Sequence, residues 1–218
     1  MKSNAWKWIL GGAGVLLLLS QGNRYRVMND LSKIRLGEFF TLDEFTKTST
    51  GFDNIPPPTV VERLKKLVVN FFDPLRRALG LPITITSGYR SSEVNEAVPG
   101  SSSTSQHPLG EAGDFKVLFP GKSKAEVLAI IAPKGYTERN IEWDPVKKAY
   151  KLTNQTIIDK VRQMRLPYDQ LIDEKRGESL WVHASHKFSG TQRTAWLTRR
   201  DPGPTRPREY ELIKTGYA

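Results

Sequence analysis

SQHPLGEAGDFKVLF, residues 105–119, holds a histidine, a glycine-rich turn and the start of a strand in one stretch. His107 and Asp114 stand seven positions apart with Gly110, Ala112 and Gly113 between them, so the chain can double back with little side-chain obstruction. A histidine and an aspartate brought together this way are two potential ligands of one metal ion. The chain has three histidines in all, and the other two, His183 and His186, fall in WVHASH, an apolar stretch that reads as a buried strand. His183 is therefore the natural third ligand. Two neutral imidazoles and one carboxylate suit a single zinc ion and leave a fourth position open, as in catalytic sites. With no cysteine in the chain, a thiolate-bound structural zinc is excluded.

Working outward, LPITITSGYR (81–90) alternates as a strand and delivers Tyr89 and Arg90 at its end. Before it, Val60, Val61, Leu64, Leu67, Val68, Phe71 and Phe72 recur at helical spacing, with Arg63, Lys65 and Lys66 on the opposite face. Asp73-Pro74 predicts a kink or restart, with Asp73 as N-cap and Gly80 as the stop. Ser91 to Glu93 read as the cap of a short helix, and VPGSSSTS as a rim leading into His107. SKAEVLAII predicts a helix capped by Ser123, and 155–164 a second one. Residues 136–153 read as an inserted hairpin around Asp144-Pro145 at the edge of the cleft. YDQLIDE and SLWVHAS form a strand pair joined at Lys175-Arg176-Gly177, which brings Glu174 or Glu178 near His183. The expected fold is α+β: a small antiparallel central sheet flanked by helices, with an N-terminal hydrophobic membrane segment.

That segment, residues 1–30, has a basic start, an apolar run from Trp8 to Leu19 and then Arg24 and Arg26. The run is shorter than the ~20 residues of a usual spanning helix; a retained anchor is favoured, and a cleaved signal stays open. The catalytic domain is expected over 31–198 and an extended tail over 199–218, beginning within the Arg/Pro-rich TRRDPGPTRPREY and ending in a short strand, ELIKTGY. A formal charge of +10 implies attraction to polyanions, but no basic run is interleaved with aromatics, so nucleic acid is not an expected partner.

The blocks FFTLDEF, FDNIPPP, LVVNFFDPLRRALGLPITITSGYR, SQHPLGEAGDF, YDQLIDE and WVHAS, spread over residues 39–185, resemble the zinc D-alanyl-D-alanine carboxypeptidase family, in its carboxypeptidase-like branch. That branch includes dipeptidases, endopeptidases and phage cell-wall hydrolases. The resemblance implies that His107, Asp114 and His183 bind one zinc ion and that Arg90 grips a substrate carboxylate or carbonyl. It also implies hydrolysis of an amide bond in peptidoglycan stem peptides or cross-links, by a domain facing the periplasm or cell exterior, or carried in a virion. Tyr89, Ser105 and Gln106 are further candidates to line the substrate cleft. Related enzymes often carry an acid or imidazole three residues before the last ligand, where this chain has Leu180. The expected general base is instead Glu174, then Glu178; His186, three steps along the strand from His183, points to the opposite face.

Overall fold

The computed structural model describes residues 31–200 and 209–216, together with the backbone of a small hairpin, β1 (Leu10–Gly11) and β2 (Gly14–Val15). The expected membrane segment otherwise lies outside the described residues. Among these, no helix is long and apolar enough to cross a membrane.

The core is α+β, with a six-stranded sheet in the order β11-β10-β8-β9-β4-β3. Its strands are β3 (Thr84–Ser87), β4 (Ala112–Lys116), β8 (Gln170–Arg176), β9 (Ser179–Ser185), β10 (Ala195–Arg200) and β11 (Glu209–Thr215). A second sheet of β5 (Leu118–Phe119), β6 (Ile141–Asp144) and β7 (Ala149–Leu152) has the order β5-β7-β6. The expectation of a small antiparallel sheet is corrected on two counts. The chain after residue 194 joins the sheet, through an unexpected strand β10 and through β11 at the expected ELIKTGY strand, and β10 runs parallel to β8. A parallel pair needs the chain to return to the starting end, and here β9 makes that return and residues 186–194 then step past β8 at that end.

The helices are α1 (Leu42–Thr46), α2 (Pro58–Leu67), α3 (Asp73–Leu79), α4 (Ser92–Ala97), α5 (Lys124–Ile131) and α6 (Asn154–Gln163). Between α2 and α3 the helix does not break, as Asp73-Pro74 had suggested, but widens into a π turn over Val68–Phe72. Proline lacks the amide proton of a regular turn and its ring crowds the carbonyl four residues back; one extra residue in the turn accommodates both. The extra residue also keeps Leu64, Leu67, Val68, Phe71, Phe72, Leu75 and Leu79 all buried. Asp73 is helical rather than a cap, and its carboxylate accepts hydrogen bonds from the amides of Glu38 (2.6 Å) and Phe39 (3.1 Å).

Phe72 is the hub of the core, with edge-to-face contacts at 5.1–5.7 Å to Phe40, Phe45, Phe71 and Phe115. Each such pair adds about 0.5–1.5 kcal/mol beyond area burial. β4 lies directly against this cluster because Gly113 has no side chain; a Cβ there would come within 2.9 Å of Phe72 Cζ. The inserted hairpin is β6 and β7, and Lys116, buried at the end of β4, donates to Asp144 within it. None of its residues lines the cavity beside His107, so the expectation that it edges the cleft is corrected. Its buried charges fasten it to the main sheet instead.

Candidate active site

Two strands and one loop converge on the cluster. Asp114 in β4 is directly opposite His183 in β9, so their side chains share one face of the sheet. His107 reaches the same face from the turn before β4. One ligand atom from each of His107, Asp114 and His183 lies within 4.8 Å of the other two, and all three residues are buried. Asp114 Oδ1 is 3.4 Å from His107 Nε2 and 2.9 Å from His183 Nδ1. Two zinc bonds of 2.0–2.1 Å meeting at a tetrahedral angle separate their donors by about 3.3–3.4 Å, so the set is close to the spacing a zinc ion requires.

The surroundings fix each ligand. His107 Nδ1 donates to the Gly88 carbonyl at 2.6 Å, which leaves Nε2 bare and aimed at Asp114. Asp114 Oδ2 accepts from Arg90 Nη2 at 2.7 Å, leaving Oδ1 between the imidazoles, while Arg90 Nε donates to Ser87 Oγ at 2.9 Å. Gly88 must be glycine: a Cβ would come within 2.4 Å of the Phe45 carbonyl oxygen. Gly88→Ala should therefore shift the carbonyl that orients His107. The expected result is about 1–3 kcal/mol less stability in urea unfolding and roughly 10- to 100-fold weaker zinc affinity in chelator competition.

Burial lowers the pKa of His107, against the opposing pull of Asp114. Burial alone would raise Asp114, but His107 and His183 hold it well below the ordinary carboxylate range. Both groups are thus deprotonated, as ligands must be. The unfolded chain takes up these protons at higher pH than the folded one, so acidification favours unfolding and metal release. For His107 the loss begins as pH falls below the ordinary 6.5, and for Asp114 only below 3.8. Zinc retained after dialysis should be flat above neutrality and decline below about pH 6.5; retention unchanged down to pH 5 would contradict this account of His107.

The cluster opens into a cavity of about 430 Å³. Ser105 and Gln106 line it, as does Arg90. Tyr89 does not; it is buried in the hydrophobic core. Glu174 lines the cavity: Ile172 is opposite His183, and Glu174, two residues along β8, shares that face. Tyr210 of β11 donates to Glu174 Oε1 at 3.2 Å. Glu178 is exposed at the β8–β9 turn, away from the cavity, because the reversal falls at Gly177-Glu178 and not one residue earlier. His186 is buried beyond the end of β9 and outside the cavity lining. The sequence reading missed Gln170, Trp181, Arg176, Arg193 and Tyr210, all of which line the cavity. Gln170 could have been found by extending the alternation of Glu174 and Ile172; Arg193 and Tyr210 carry no local signal.

No curated protein matches the chain. The sequence model of the family described as Peptidase M15 matches residues 38–142, a span that carries Arg90, His107 and Asp114, while the sheet supplies His183 and Glu174 from beyond it. With a buried His–Asp–His set suited to the zinc that M15 metallopeptidases bind, this match supports a place for the chain among peptidases of the M15 type.

Proposed function

We propose that this protein is a zinc-dependent peptidase that hydrolyses an amide bond in peptidoglycan stem peptides or cross-links. The observation that carries the proposal is the position of Glu174, an acid on the ligand face of the sheet, in the same cavity as the three ligands.

His107 through Nε2, Asp114 through Oδ1 and His183 through Nδ1 would hold the ion. When bound, zinc supplies a Lewis acid that polarises the scissile carbonyl and acidifies the attacking water. Glu174 takes the proton of that water at its carboxylate and returns it to the departing amine, while Tyr210 steadies one of its oxygens. Glu174 thus fills the role that Leu180 cannot. Arg90 holds Asp114 in place and presents its guanidinium to the cavity, where it can orient a substrate carbonyl or carboxylate. The cell wall as the source of the peptide rests on the family resemblance, and the apolar run from Trp8 to Leu19 supports delivery of the domain to or across a membrane.

The test is mass spectrometry of purified peptidoglycan digested with the zinc-loaded protein beside its His107→Ala form. New peptide ends formed only by the intact protein are expected, and they name the bond. An unchanged muropeptide profile at stoichiometric zinc would sink the proposal.

A further inference from the structure

Asp169 is fully buried, yet it carries two cations. Its Oδ1 accepts from the Arg193 amide at 2.8 Å and lies 3.1 Å from Lys187 Nζ; its Oδ2 accepts from Arg193 Nε at 2.9 Å and also from Arg193 Nη2. Those contacts hold Asp169 below the ordinary carboxylate range although burial alone would raise it. The Arg193 side chain is half exposed and lines the cavity, where its Nη2 also faces Gln106 Oε1 at 3.4 Å, one residue from the ligand His107. Burying a carboxylate is costly unless it is well paired. Here the pairing fixes a guanidinium at the cavity wall and spends only one of its edges.

The same cavity holds Arg90 and Arg176, so among the described residues three guanidinium groups face two carboxylates, Asp114 and Glu174. Arg90 is engaged with Asp114. The hydroxyl-bearing rim residues Ser101, Ser102, Thr104 and Ser105 add uncharged hydrogen-bonding groups and no negative charge.

We propose that Arg193 is a carboxylate-recognition residue: it binds a free carboxylate that the peptide substrate carries away from the scissile bond, so the cleft selects acidic peptides. This rests on the peptidase reading above and names the substrate class of that site. A guanidinium held along one edge by a buried carboxylate is pre-organised to receive a second carboxylate at Nη1, with the weak Nη2 contact to Gln106 open to exchange.

The test is calorimetric binding, on the zinc-loaded full chain in a Glu174→Gln background, of the pentapeptide L-Ala-γ-D-Glu-L-Lys-D-Ala-D-Ala. Three forms are compared: unmodified, amidated at the D-Glu α-carboxylate, and amidated at the C-terminus. One amidation should weaken binding roughly 10- to 100-fold and thereby identify the carboxylate. Arg193→Gln should weaken the unmodified peptide by the same factor and leave that amidated peptide unchanged. Arg193→Lys, which keeps a positive charge beside Asp169, should retain part of the discrimination even if the Gln variant folds poorly. Equal losses for acid and amide forms, no loss in either variant, or no measurable binding of any form would overturn the proposal. Charge discrimination without cleavage by the unaltered protein would leave it standing and sink the peptidase reading; cleavage without discrimination would do the reverse.

Discussion

Glu174→Gln should lower kcat by roughly 10²–10⁴-fold with zinc content and melting temperature close to those of the intact protein. The amide keeps the shape of the side chain and still accepts a hydrogen bond from Tyr210, so the strand pairing of β8 with β9 is undisturbed. What is lost is the ability to accept the proton of the water and hand it on. The acid limb of the pH–rate profile should also vanish, because that limb reports protonation of the base. A variant with near-normal kcat would remove Glu174 from the chemistry and leave the cavity, among the described residues, without another carboxylate besides Asp114.

Asp114→Asn should abolish hydrolysis and reduce bound zinc to background, a failure at the metal rather than at the proton. Asp114 joins the two imidazoles through one oxygen and Arg90 through the other. Its loss strips the site of its only anionic ligand and leaves the guanidinium of Arg90 largely buried beside a neutral group. Breaking a buried pair on one side typically costs about 3–5 kcal/mol, so a fall in the urea midpoint should accompany the loss of metal. Metal analysis separates the two variants: the Gln variant at 174 keeps its zinc and the Asn variant at 114 does not. Zinc bound stoichiometrically by Asp114→Asn would contradict the ligand assignment.

The parts of this site legible in the sequence were those whose signal is local or repeats with a period. His107 and Asp114 share one turn, the alternation in LPITITSGYR led to Arg90, and WVHAS read as a buried strand. The pairing of YDQLIDE with SLWVHAS placed Glu174 on the side of His183, but a two-residue turn depends on register, and the reversal fell one step later than the glycine suggested, which set Glu178 apart. Arg193 and Tyr210 could not be read. Their place depends on β10 joining β8 in parallel, a contact between segments far apart in sequence that no periodicity announces. Asp73-Pro74 misled for a different reason: a proline after a capping residue usually starts a helix, but here a widened turn absorbed it within a continuous one.

The contact between Gly113 and Phe72 couples the aromatic core to the metal centre. The tip of the Phe72 ring sits where a side chain at 113 would have to go, and the next residue of β4 is Asp114. A methyl group added at 113 would press the aromatic core against the strand that carries Asp114, so core packing and ligand placement are two readings of the same contact.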